Sequence, residues 1–364
     1  MRPLSATECI TPAIERTKLV LFSPFRMGRT WKLSATSYIC IMGSMFLPFP
    51  LVYLAFVPLA YKAGGTTAAA ATAIGVLVFS ALFIWLFYLC SRLQFAWFDI
   101  LVNRGEFVAP AWRKYGLQAR PWSHLKLALG AAITLVTAVP MYAFVRRLIP
   151  FFRAIPLTPQ PGQPPSPELI RALLNVYASY AVLMLFFGLV FLVFSLLGNL
   201  IVPSLALENT GIKEAFRRMT ELIRGEPGEF ALFVLLKAGL GIAGYMGSIM
   251  VWELVFLLTT LIAGAVILLL GFLLHLAGVP SIVLTVLGMV VGIAWYFFAL
   301  IYTLMLAIGP VFTFLDAYAI YFLGGRYPML GDLLERSTPP SPTPAAYFPA
   351  AYPSYPPPPP QAIP

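Results

Sequence analysis

Residues 209–227 have the sequence NTGIKEAFRRMTELIRGEP. Apolar side chains recur here at helical spacing and would form one face of a helix, while lysine, arginine and glutamate fill the other face. Asn209 is a suitable N-cap, and Gly225 and Pro227 are typical of a helix end. Because long apolar segments precede and follow this stretch, it predicts an amphipathic helix that lies along a membrane surface between spans.

Two other stretches echo this one. Residues 111–114 (AWRK) and 13–16 (AIER) are similar to residues 215–218 (AFRR), and each is followed by a proline and then by an apolar segment. The spacing of about one hundred residues is longer than that of solenoid repeats. Two interpretations remain open: internal duplication of a helix-plus-hairpin unit, or the recurrence of basic loops that any multi-pass protein has.

Composition places the chain among membrane proteins. Of the 364 residues, 60% are hydrophobic and only 10% are charged, against roughly 25% charged in soluble domains. Uncharged stretches long enough to cross a bilayer recur along the chain. The sequence therefore predicts an all-α, polytopic integral membrane helical bundle of about six to eight spans with interfacial amphipathic helices.

Hydropathy and charge divide the chain into three regions. Residues 1–32 form a basic and aromatic segment without a signal-peptide core, residues 33–325 form the transmembrane domain, and residues 326–364 form a Pro-rich tail expected to be disordered. The predicted spans are residues 38–60, 68–89, 125–145, 173–197, 230–252, 254–276 and 281–308.

The segment after the last predicted span is aromatic and carries one acid. Gly309 and Pro310 are interpreted as the end of that span, so residues 312–322, which contain Asp316, are expected to lie at the membrane interface. A short eighth crossing is the alternative for this segment.

The net charge of +10 points to lipid rather than to nucleic acid. Lys and Arg cluster beside apolar segments, where they orient the chain and attract anionic headgroups. We therefore expect a cytoplasmic N-terminus, contacts of the basic connectors with membrane lipids, and no nucleic-acid partner.

Four polar residues are candidates for function because they lie in or beside apolar segments. Lys237 can also snorkel to an interface, Glu253 falls near the outer surface, and Asp99 can pair with a neighbouring arginine. Asn199 lies at the end of the fourth span. No catalytic, cofactor or metal constellation stands out, and the two histidines are far apart, so we expect no cofactor and no metal.

Residues 13–18 (AIERTK), 21–25 (LFSPF) and 31–33 (WKL) resemble the start of a bacterial family of uncharacterised multi-pass proteins, which is similar to the membrane domain attached to some glycerophosphodiester phosphodiesterases. The basic connector at residues 215–218 is also similar. The resemblance implies a helical domain over roughly residues 12–325 in the bacterial inner membrane. It does not carry over the catalytic activity, because the His and acidic metal ligands of the phosphodiesterase domain have no counterpart.

These features favour a non-enzymatic multi-pass membrane protein with a structural, assembly or interaction role. The alternative is a transporter or lipid-handling protein, since proline-broken spans and glycine-rich helices occur in transporters. The run of five prolines at residues 356–360 is typical of segments that dock on aromatic grooves, although a solvated spacer has the same composition.

Overall fold

A computed structural model describes residues 2–43, 57–154 and 166–337. These residues form ten α-helices and no β-strand, which confirms the all-α prediction for this part of the chain. The helices are α1 (Ile10–Phe22), α2 (Met27–Met42), α3 (Val57–Asn103), α4 (Val108–Lys114), α5 (Ala119–Ala154), α6 (Pro167–Glu208), α7 (Ile212–Gly225), α8 (Pro227–Leu276), α9 (Ser281–Gly324) and α10 (Pro328–Ser337).

Five of these helices are long and apolar enough to cross a membrane. They lie in α3, α5, α6, α8 and α9 and contain between 34 and 50 residues. Crossing the hydrocarbon core takes only about 20 residues, so each helix is longer than one crossing requires. The number of spans stays a prediction, because the middle of the first predicted span, residues 44–56, lies outside the described residues.

The molecule has two ends of different character. At one, which we call the packed end, α1, α4, α7 and α10 surround the adjoining ends of the long helices, and most of the fully buried side chains lie there. At the other, which we call the open end, large apolar side chains are exposed along all five long helices. Exposed apolar side chains on predominantly apolar helices are typical of a lipid-facing surface.

Helix α9 is the centre of the packing. It forms a hairpin with α8 and also packs against α1, α2 and α10. The hairpin turns at residues 277–280, where Gly278 has a φ of +85° that an L side chain rarely adopts. Helices α5 and α6 form a second pair, so the four helices α5, α6, α8 and α9 are two hairpins joined through α7.

Residues 209–227 contain the predicted amphipathic helix, α7. Its apolar side chains pack partly buried against the core, and the side-chain hydrogen bonds from Arg217 and Arg218 lower the pKa of Glu214 to about 2. The predicted N-cap is wrong: Asn209 ends α6 in the left-handed conformation, with a φ of +53°, and Gly211 caps α7. Asn tolerates that conformation, which explains why it suits both positions.

The echoing stretches are helices too, and each buries its alanine. Ala13 in α1, Ala111 in α4 and Ala215 in α7 are all buried. Small side chains at these positions let each short helix approach the long helices closely. The duplication itself stays a prediction.

Three predicted boundaries are wrong. The boundary near Glu253 lies inside α8, which runs unbroken because no proline or glycine pair interrupts it there. Pro310 lies inside α9 and does not end it, because one missing hydrogen bond is outweighed by packing on both sides. The tail predicted from residue 326 begins with α10, which packs on the core through Leu330 and Leu334. Residues 338–364 lie outside the described residues.

Replacing Leu330 with alanine should destabilise the protein by about 2 kcal/mol, the lower end of the usual range for a buried leucine. Leu330 has no exposed surface, whereas its neighbour Met329 is 47% exposed. Met329→Ala is therefore the control and should leave the melting temperature in mild detergent unchanged. Equal melting temperatures for the two variants would show that α10 does not contribute to the core.

Candidate functional site

A cavity of about 60 Å³ lies in the packed end, between α2, α3, α6 and α9. It sits where the close packing of the core gives way to the open end. We call it the Asp316 cavity, because Asp316 is the only charged side chain that lines it in the described part of the chain. The side chains used below are Gln94, Ser195, Asn199 and Asp316, which are polar, and Trp97, Phe98, Phe191 and Phe194, which are aromatic.

The Asp316 carboxylate reaches the cavity from α9 and accepts a hydrogen bond there. The indole Nε1 of Trp97 on α3 donates to Asp316 Oδ2 over 3.1 Å. Asn199 on α6 lines the same cavity, and its buried Nδ2 has no hydrogen-bond partner. Three helices thus bring a carboxylate, an indole donor and an amide to one place.

Pro203 adds a second polar group to this wall of the cavity. It lies inside α6 and lines the cavity together with Asn199. Proline has no N–H to donate to the carbonyl four residues earlier, so the backbone carbonyl of Asn199 loses its helical partner. Asn199 therefore offers both a side-chain amide and a released backbone carbonyl.

Lys237 on α8 is a buried cation that interacts electrostatically with Asp316. Its side chain is only 3% exposed, and its Nζ has no hydrogen-bond partner among the described residues. The two charges act on each other electrostatically, but the described residues show no ion pair between them. A buried ammonium without a hydrogen bond is costly, so Lys237 is not explained by packing alone.

A second buried lysine lies on the far side of Gln94. Lys126 Nζ donates to Gln94 Oε1 over 3.2 Å and lies over the rings of Phe87 and Trp122, at 4.8 Å and 5.8 Å from their centroids. Gln94 Oε1 also accepts from Trp122 Nε1 over 2.8 Å. The glutamine therefore separates Lys126 from the cavity, and its oxygen is already used.

The four predicted site residues fall in three places. Lys237 and Asn199 lie at or beside the Asp316 cavity. Glu253 is exposed on α8, and the described residues give it no hydrogen bond or ion pair.

Asp99 lies at the packed end, away from the cavity lining. It accepts from Lys114 Nζ over 2.9 Å and from the Tyr115 hydroxyl over 2.7 Å. Burial, followed by the bond with Asp99, raises the pKa of Tyr115 to about 12. The predicted pairing of Asp99 with an arginine is wrong, because the cation that pairs with Asp99 is Lys114.

Sequence reasoning missed the central residue of the site. The sequence predicts an interfacial position for Asp316, because Gly309 and Pro310 are typical of a helix end. The signal that identifies it is the acid itself, inside an aromatic segment that continues an apolar helix. Trp97 and Gln94 carried no signal, since single polar or amphipathic residues near a span end are common. Among the described residues, no group of three His, Cys, Asp or Glu is placed to hold a metal ion.

The fold and the cavity define a class: helical proteins with apolar helices that are able to cross a membrane, and with an acid-lined cavity in their packed part. The comparisons with known proteins add one assignment. Residues 4–333 match the model of a family of unknown function, DUF7544, and the chain belongs to that family. Nothing links it to the membrane domains of glycerophosphodiester phosphodiesterases, so that part of the resemblance has no support. No curated protein and no solved structure matches the chain.

Proposed function

We propose that the protein is a non-enzymatic, multi-pass protein of the bacterial inner membrane that binds a small polar ligand or a lipid headgroup in the Asp316 cavity. The observation that carries this proposal is the polar lining of the cavity. Asp316, Asn199 and the neighbouring Lys237 lie inside helices that are otherwise apolar. Polar groups in such surroundings are costly, and in membrane proteins they usually mark a binding or transport site.

The proposal that the protein is not an enzyme rests on what faces the cavity. Apart from the Cys40 thiol, Asp316 is the only titratable side chain that lines it in the described residues. Many general acid–base sites use both an acid and a base, each within hydrogen-bond reach of the proton it transfers. A single carboxylate held by an indole N–H suits recognition better than reaction.

The orientation follows from charge. The short helices α1, α4 and α7 at the packed end carry Lys and Arg, and positive residues beside spans favour the cytoplasmic side. We therefore propose that the packed end and the N-terminus face the cytoplasm. The exposed faces of these helices would then contact anionic headgroups of the inner leaflet.

A structural or interaction role is the second candidate, and one observation favours it. In the most apolar stretch of each of the five long helices, between 0 and 19% of the residues are buried within the chain. Helices that pack so little on one another leave room for lipids or for further protein chains. The Pro-rich tail, which this role would use for a protein partner, lies outside the described residues.

Filling the cavity separates the two roles. Gly198 lines the cavity, and a Cβ added there would meet only Trp122, at 4.0 Å. Gly198→Ala should therefore be tolerated, while the larger side chain of Gly198→Leu, attached to a residue of the cavity wall, should crowd that wall and reduce the volume of the cavity. The measurement is the melting temperature of the purified full chain with a panel of amines, carboxylates, phosphate esters and membrane lipids.

We expect at least one class of compound to stabilise the wild-type protein and Gly198→Ala but not Gly198→Leu. If every compound acts equally on all three proteins, or on none, the cavity does not bind a ligand and the interaction role takes precedence.

A further inference from the structure

The Asp316 cavity combines one carboxylate with aromatic rings. Trp97 and Phe98 from α3 and Phe191 and Phe194 from α6 line it together with Asp316. The face of an aromatic ring carries negative charge density, so cations are attracted to it, and groups of aromatic rings recognise methylated ammonium ligands in many proteins.

Among the described residues, no cation forms an ion pair with the Asp316 carboxylate. Trp97 Nε1 donates to one of its oxygens over 3.1 Å, and Lys237 influences it without forming an ion pair. A carboxylate oxygen has room for further donors. An ammonium group in the cavity would supply both the charge and the hydrogen bonds that the described residues do not.

Other ligand chemistries fit less well. An anion would face Asp316 directly. An alkali cation prefers a shell of oxygen ligands. The side-chain oxygens at the cavity come from Ser195, Asn199, Asp316 and Gln94. Of these, the Gln94 oxygen already accepts two hydrogen bonds, and the remaining wall is largely aromatic and aliphatic. A volume of about 60 Å³ admits only a few non-hydrogen atoms, since one water takes about 30 Å³ in the liquid.

We infer that the Asp316 cavity binds a primary or methylated ammonium group, with Asp316 as its counter-ion and the surrounding rings as its cage. This inference rests on the proposed function and narrows it to one ligand class. The shared chemistry leaves two sources, a soluble amine or the ethanolamine headgroup of a membrane lipid.

Lys237 makes the inference testable in both directions. Its positive charge interacts electrostatically with Asp316 and would oppose the binding of a further cation there. Asp316→Asn should weaken ammonium binding by about tenfold or more, because the amide oxygen still accepts a hydrogen bond but the negative counter-charge is lost. Lys237→Met should strengthen binding several-fold, which a purely structural role of this lysine would not predict. Glu253→Gln, exposed on the same helix as Lys237, should change nothing.

The experiment uses the full chain in mild detergent and follows the melting temperature during a titration with ethylammonium chloride. Ethanol, which has the same shape without the charge, and sodium chloride at equal ionic strength are the controls. We expect a saturable rise in melting temperature with ethylammonium alone. The ethylammonium concentration at the midpoint of this rise should be lowest for Lys237→Met, higher and equal for the wild type and Glu253→Gln, and highest for Asp316→Asn.

The source of the ammonium group is identified by measuring which lipids stay bound to the protein after purification. If a lipid supplies it, phosphatidylethanolamine is retained by the wild type, reduced in Asp316→Asn and displaced by ethylammonium. If a soluble amine supplies it, the bound lipids are the same in both proteins while the titration still depends on Asp316.

Three results would overturn the inference: an equal rise with sodium chloride, an equal midpoint for Asp316→Asn and the wild type, or no rise with ethylammonium for any variant. If another class of compound still distinguishes Gly198→Ala from Gly198→Leu, the ligand class is wrong and the binding function stands.

Discussion

Replacing Gly309 with valine should leave almost no folded, monodisperse protein. At Gly309, α9 lies directly against α2: a Cβ added there would lie 2.6 Å from Ser34 Cβ and 2.7 Å from its carbonyl carbon. Backbone atoms cannot move aside as a flexible side chain does. Overpacking of a core usually costs about 1–3 kcal/mol. A branched side chain against a helix backbone should exceed that range and reach about 5 kcal/mol, which is the lower end of total protein stability.

The matched control is Gly292→Val on the same helix. Apart from the adjoining residues and the helix's own backbone, no described atom lies within 4 Å of a Cβ built at Gly292, so valine should fit there without a clash. Size-exclusion profiles of the detergent-solubilised variants, recorded after heating to a series of temperatures, give the comparison. If Gly309→Val elutes and melts as Gly292→Val does, α2 does not rest on α9 at this glycine in the folded protein.

Gly309 also shows where local sequence rules fail. A Gly–Pro pair at the end of an apolar run is a reasonable sign of a helix end. In the structure the glycine serves a tertiary contact with Ser34, and the helix continues through Pro310. Rings on both sides of this contact pack across the same two helices, with Trp31–Tyr302 centroids 5.8 Å apart and Tyr38–Phe312 centroids 6.2 Å apart. Such contacts are invisible to a rule that considers neighbours in sequence only.

Features that depend on composition and local periodicity can be predicted from the sequence. The helical class follows from long uncharged runs, α7 follows from its two faces, and the break at Gly64 and Gly65 inside α3 follows from a glycine pair. Each is decided by residues within a few positions of one another. The predicted spans 68–89, 125–145, 173–197 and 281–308 accordingly fall inside α3, α5, α6 and α9.

Only part of the candidate site can be predicted from the sequence, because its contacts join residues that are far apart in the chain. Trp97 and Asp316 are separated by 219 residues in sequence, and nothing local marks the tryptophan as the partner of that acid. Lys237 and Asn199 were found because polar residues stand out in apolar segments. Their common surroundings come from the packing of α6, α8 and α9, which one sequence without homologues does not specify.

Replacing Arg16 with alanine should destabilise the protein by about 4 kcal/mol, since several hydrogen bonds from one buried charged group are lost together. Arg16 is 2% exposed. Its Nε donates to the Leu101 carbonyl over 2.8 Å, and its Nη2 donates to the carbonyl of Val102. A second set of bonds reaches Ser337, whose hydroxyl oxygen accepts from Nη2 over 2.7 Å. One guanidinium thus satisfies the last carbonyls of α3 and holds the end of α10.

The residues that accept from Arg16 lie at the C-termini of α3 and α10, where a positive charge is favourable and carbonyls lack helical partners. Lysine keeps the charge but has no planar fork, so Arg16→Lys should recover less than half of the lost stability. Lys18→Ala, exposed on the same helix, is the control and should melt with the wild type. Chemical denaturation of the detergent-solubilised variants gives the free energies of unfolding. If Arg16→Lys is as stable as the wild type, charge alone holds α1, α3 and α10 together, and the bridging geometry described for Arg16 is wrong.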